Sequence, residues 1–230
     1  MKGNRPYTWE EIKIFLEKEL KKTKHIMTFG TIGSCDVSKD IDLIITKKPN
    51  SSIEKFYIEL HRIFDNLDNH LVNKYKARAI IFSTSSEQDS LLYVSKYGKN
   101  DLAFHTMVYI TYPQMQKDWA WALFPNDNLK DILMGHYICI IGDKKDIFYP
   151  EFQKGNYYDS IFNFIYLYDK INSHCPKEFL IKYMNHAFDY IYRKRLGLKA
   201  PVVKNEKDVK KYFYQLCVIL DKLSKEKGRK

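Results

Sequence analysis

The chain has 230 residues, of which 45% are hydrophobic and 29% charged, and its formal net charge is +10. These are the proportions of an ordinary soluble globular protein, long enough for one large domain or two small ones. No apolar run approaches the ~20 residues that a bilayer-spanning helix requires, so no membrane partner is expected.

The opening Met1-Lys2-Gly3-Asn4-Arg5 leads into a charged helix and not into an apolar leader, which argues against a signal peptide. A helix is predicted to start at Thr8, with Glu11 completing a capping box and Trp9, Ile12, Phe15, Leu16 and Leu20 at helical spacing. A short strand, Ile26 to Phe29, is predicted to break at Gly30. A second strand is expected from Asp40 to about Thr46. Pro49-Asn50-Ser51-Ser52 then caps a helix with Ile53, Phe56, Tyr57, Leu60, Phe64 and Leu67 on its core face. Strands are predicted at Ala79 to Ser83, Leu91 to Tyr97 and Leu102 to Thr111, with a hairpin turn at Tyr97 to Asp101. Pro113 admits a helix through Trp119 and Trp121. Asp127-Asn128 caps a short helix, and Ile138 to Ile141 reads as a brief buried strand.

Beyond Tyr149-Pro150 only helices are expected: Tyr158 to Ile171, Lys177 to Leu196 and Asp208 to Leu223, the last two separated by Gly197 and Pro201. The reading is an α+β chain, with a mixed-sheet domain over 1–150 and a helical bundle over 151–230. That bundle carries a basic end. From Arg193 to Lys230 there are thirteen Lys/Arg against four Asp/Glu, so +9 of the net +10 lies there. A polyanion is therefore a plausible partner, although a solvated lysine-rich helix has the same composition. Cys35, Cys139, Cys175 and Cys217 are scattered with no C-x-x-C pair, which argues against zinc and fits reduced, cytoplasmic thiols.

The chemistry concentrates in Phe29-Gly30-Thr31 and, eight residues later, Asp40-Ile41-Asp42. Carboxylates two apart on a strand share a face. A glycine turn beside them would expose backbone N–H groups that phosphate can approach without a Cβ in the way. A polar strand edge with no metal is the plainer reading of an isolated Asp-x-Asp.

A helix, a strand ending in hydrophobic-Gly-Ser/Thr, a short excursion and an Asp-x-Asp strand resemble the nucleotidyltransferase superfamily that includes DNA polymerase β. The likeness covers about the first 110 residues. It implies a nucleotidyltransferase-like catalytic domain in which Asp40 and Asp42 bind Mg²⁺ or Mn²⁺ and Gly30 and Thr31 hold the phosphates of an NTP. Gly33-Ser34 is a second reading of the Gly-Ser pair, with only five residues before Asp40. Lys170 stands where relatives place a lysine on the triphosphate. The strand register puts His105 where relatives carry a third carboxylate, so His105 is either a substitute acid–base group or metal ligand, or a sheet-face histidine. Glu87, Asp89 and Asp101 fall in turns. Trp119 and Trp121 beside Tyr112 could stack a base, or serve as core.

The expected function is Mg²⁺-dependent transfer of a nucleoside monophosphate from an NTP to an acceptor hydroxyl, foremost the 3′ end of an RNA such as tRNA. The alternatives are nucleotidylation of a small molecule or protein, and a nucleotide- or RNA-binding module that has lost the chemistry.

Overall fold

In a computed structural model the protein is described at residues 5–33, 35–37, 40–82, 98, 100–119, 128–153 and 177–227. The expected strand at Leu91 to Tyr97 and helix at Tyr158 to Ile171 lie outside these residues, as do Ser34, Glu87, Asp89, Trp121 and Lys170.

The first helix, α1 (Trp9–Leu20), starts as its sequence dictates: the Thr8 hydroxyl accepts from the Glu11 amide and the Glu11 carboxylate accepts from the Thr8 amide. Next come β1 (Ile26–Ile32), β2 (Ile41–Lys47), α2 (Ile53–Tyr75), β3 (Ala79–Phe82) and β4 (Leu102–Tyr109). Two short helices, α3 (Tyr112–Trp119) and α4 (Leu129–His136), lead to β5 (Tyr137–Ile141), a 3₁₀ turn at Lys144–Phe148 and the short α5 (Pro150–Gln153). Last are α6 (Lys177–Phe188), which widens into a π-helical segment at Asp189–Arg195, and α7 (Glu206–Lys227).

The fold is mixed α and β. Its strands form a five-stranded sheet in the order β3-β4-β2-β1-β5 among the described residues. β1 runs antiparallel to both β2 and β5, whereas β4 runs parallel to both β2 and β3. The connection from β2 through α2 to β3 is the helical crossover that strands running in one direction need.

Strand alternation assigns the two faces. Phe29, Ile41, Leu43, Ile45, Leu102 and Phe104 point into one core with α1, α2 and the C-terminal helices. Ile44, Met107 and Tyr109 point into a second core with Met115, Leu129, Leu133, Tyr137, Ile147 and Phe152. Val209, Phe213, Leu216, Cys217 and Leu220 of α7 are fully buried in the first core, as are Met184, Phe188 and Ile191. Burial of each large side chain there contributes roughly 1.5–3 kcal/mol. The helices beyond residue 150 thus complete the core that the sheet begins. Asp221 ties them to it, accepting from the Ser52 hydroxyl at 2.9 Å and the Ile53 amide at 2.9 Å, at the start of α2.

Three expectations need correcting. β1 does not break at Gly30 but runs on to Ile32, and the chain bends at Gly33, whose φ is +80°. The strand at Ile138 to Ile141 lies at the edge of the sheet among the described residues, and Ile138 is 61% exposed, so the run of apolar residues does not mean burial. The helix from Lys177 does not stay α to Leu196: its last seven residues, Asp189–Arg195, take π geometry.

One buried cation holds the end of β2. Lys47 is 3% exposed, and its ammonium donates to the carbonyls of Lys48 at 2.7 Å, Pro49 at 3.1 Å and Ser51 at 2.8 Å. Burial pushes its amine down from 10.5 to about 8, with Asp221 opposing. The folded pKa lies below the unfolded one, so the unfolded chain binds more protons between the two values and Lys47's contribution to stability rises with pH there. Relative to a Lys47→Met variant, the wild type should gain up to about 3 kcal/mol between about pH 7 and about pH 10.5. Urea unfolding of both proteins at the two pH values measures this, and a difference that stays flat would refute it.

Candidate functional site

The candidate site stands at the rim of the sheet where β2 and β4 begin and β1 ends. The parallel register of β2 and β4 pairs Asp42 with His105, and the same register pairs His105 with Phe82 of β3. Asp42 follows Ile41 and precedes Leu43, both buried in the first core, so its side chain projects from the second face. Farther along that face Ile44 and Met107 are covered, but Asp42 at the rim keeps 40% of its side chain exposed. Asp40 precedes β2 and is exposed.

His105 is 12% exposed, and its Nδ1 lies 2.6 Å from Asp42 Oδ1. Beside a carboxylate acceptor, that nitrogen carries the proton and donates it. The other ring nitrogen, Nε2, is buried. Such a histidine fixes the rotamer of Asp42 and occupies Oδ1, leaving Oδ2 for another partner. With Nε2 turned inward, the geometry favours positioning of the carboxylate over proton exchange with a substrate.

The two residues expected on phosphate part company with this pair. Gly30 lies within β1, paired with Ile44 on one side and Cys139 on the other. A Cβ built on it would stand 2.3 Å from the Ile138 carbonyl oxygen and 2.7 Å from Tyr137 Cε2. Its lack of a side chain lets β5 pass close by. Thr31 pairs with Leu43 and is 2% exposed, so its hydroxyl lies on the face opposite Asp42. That hydroxyl accepts from Cys35 Sγ at 3.4 Å.

The bend expected at Gly30 is at Gly33. Continuing the β1–β2 register past Thr31 and Leu43 brings Ile32 and Gly33 alongside the start of β2. Gly33 is exposed, and open space stands where its Cβ would be. Ser34, the partner of Gly33 in the second reading of the motif, lies outside the described residues.

The other expected residues serve the fold. Asp101 is used by its own turn, accepting from the Arg78 amide at 2.9 Å and the Gly98 amide at 2.7 Å. Trp119 donates its indole N–H to the Tyr109 hydroxyl at 2.9 Å, and Tyr112 meets Phe148 edge-on, so both pack on the second core.

Metal coordination by the protein alone is not assembled: among the described residues no three His, Cys, Asp or Glu side chains group around one point. Magnesium asks for less, because one or two carboxylates with substrate phosphates and water complete its shell. Asp40 is exposed, and the His105 contact leaves Asp42 Oδ2 clear. No helix among the described residues is long and apolar enough to cross a membrane. No family model matches the chain, and no curated protein or solved structure matches it.

Proposed function

We propose that the chain is a Mg²⁺-dependent nucleotidyltransferase that moves a nucleoside monophosphate from an NTP to an acceptor hydroxyl, the 3′ end of an RNA being the favoured acceptor. The observation that carries the reading is the position of Asp42. It sits at the rim of the central strand, two residues after exposed Asp40, in front of the bend at Gly33 and locked in place by His105. The sheet order, with β1 antiparallel and β4 parallel to β2, supports the reading by putting Asp42 on the middle strand of the sheet among the described residues.

Asp40 and Asp42 would hold the metal, which when bound supplies neutralisation of triphosphate charge. The exposed backbone at Gly33 offers donors to phosphate oxygens. His105 keeps Asp42 oriented, so no reorganisation is needed as charge develops. The acceptor oxygen bonds to the α-phosphorus as the bridge to the β-phosphate breaks. Pyrophosphate leaves and the acceptor proton passes to water.

Incubating the protein with radiolabelled NTPs, Mg²⁺ and either total tRNA or a panel of aminoglycosides tests this. Label should enter RNA and vanish in the Asp40→Ala, Asp42→Ala double variant. Label entering only small molecules or the protein itself would move the acceptor assignment. One observation favours a second reading, a nucleotide-binding module without catalysis: an imidazole, not a third carboxylate, stands beside Asp42. Binding of Mg-NTP by calorimetry with no transfer to any acceptor would establish it.

A further inference from the structure

A groove of about 770 Å³ lies between α7 and the segment that leads into it. Lys199 and Val202 form one wall, Lys211, Tyr214 and Val218 of α7 form the floor and the other wall, and Glu54 closes one side. The wall is held in place, because Asn185 donates to the Val203 carbonyl at 2.9 Å and accepts from the Val203 amide at 2.7 Å. The floor is held too, since the Tyr214 hydroxyl is hydrogen-bonded to His61 Nδ1. Val202 is 64% exposed at the lip.

The cations around this groove are ordered. On α7, Lys207, Lys211, Val218, Lys222 and Lys225 fall on one helical stripe, with exposed lysines beyond both ends of the apolar floor. The stripe spans about 27 Å at 1.5 Å per residue. These four lysines make no ion pair among the described residues. Arg193, Lys194 and Arg195 are exposed where the other wall begins.

We propose that this groove seats a single strand of RNA, the lysines meeting phosphates and the apolar floor taking base or ribose faces. A repeating polyanion suits cations spread over such a length and continued by Lys227, Arg229 and Lys230 in the sequence, whereas a compact acidic peptide would leave most of them unmatched. The inference deepens the nucleotidyl-transfer reading, from which it takes RNA as the polymer, by holding the acceptor on a surface separate from Asp42.

Fluorescence anisotropy with labelled oligoadenylate, without nucleotide or metal, tests it. Lys199→Glu with Lys211→Glu should weaken binding at least about tenfold and lower the slope of log K against log salt by about 1.4, roughly 0.7 for each phosphate of a single strand no longer neutralised. Val202→Asp, at an exposed position, should weaken binding by a similar factor, while reversing exposed Lys18 and Lys145 should leave most of it. If the groove variants bind like the wild type, or weaken binding no more than the Lys18 and Lys145 reversal, the groove is not the RNA surface. Failure of NTP transfer with groove-dependent binding intact would instead overturn only the catalytic reading.

Discussion

Gly30→Ala is expected to destabilise the fold by about 3 kcal/mol or more. The added Cβ would meet the Ile138 carbonyl oxygen at 2.3 Å and Cys139 Cα at 2.8 Å. Both are backbone atoms of β5, so relief requires the strand to move off β1. Tyr137 cannot yield cheaply either. It is 1% exposed, and its hydroxyl donates to the Ile44 carbonyl at 2.8 Å and lies 3.0 Å from Thr28 Oγ1. Shifting it breaks that buried network as well. Gly33→Ala makes the contrast. The φ of +80° opposes a side chain there, but nothing lies within 4 Å of the added carbon, so the cost should stay near 1–2 kcal/mol. Urea unfolding of the two variants, paired with Mg-ATP binding, separates the roles: Gly30→Ala should lose stability, and Gly33→Ala should stay folded but bind nucleotide less tightly. A Gly30→Ala protein as stable as the wild type would mean that β5 does not pass where it is placed.

These two glycines also show what the sequence could not say. A glycine in a polar neighbourhood is equally the mark of a turn and of a close strand crossing. Only the arrival of β5, more than a hundred residues later, decides between them at Gly30. The face of Thr31 is legible in principle, because in a β1–β2 hairpin its parity matches Leu43 and opposes Asp42. A glycine read as a break hides that parity. Local signals do better. The Thr8–Glu11 box, the Ser52 cap and the apolar stripes of α1, α2 and α7 are near-neighbour chemistry, and all are present. The stripes announce a partner without naming it. That α7 lies on α2, and that Asp221 caps α2 from a distance, follows from shape matching across the whole chain. The placement of His105 beside Asp42 is expected only through the strand register that the family resemblance implies, since a helical crossover fixes the direction of a strand and not which of its residues lies opposite which.

His105→Ala should lower kcat about 10–100-fold and raise the Mg²⁺ concentration needed for half-maximal rate, while His105→Asn should recover most of both. The asparagine amide can present an N–H near the place of Nδ1, which is all that positioning Asp42 requires, but it cannot shuttle a proton. An acid–base histidine would give the opposite pattern, with Asn as inactive as Ala and one limb of the pH–rate profile gone in both. Asp42→Asn keeps the shape and a hydrogen-bonding partner for the imidazole yet removes the charge, so it should abolish at least about 10²-fold of the rate. Calorimetry supplies the readout that activity cannot: Asp42→Asn should lose the Mg²⁺-dependent part of ATP binding and His105→Asn should retain it. Because Asp42 is half-exposed at the rim and contributes little to either core, unfolding midpoints should barely move in that variant. A normal rate and normal Mg²⁺ dependence in Asp42→Asn would remove the sheet rim from consideration, since no other carboxylate of β2 or β4 could take its place.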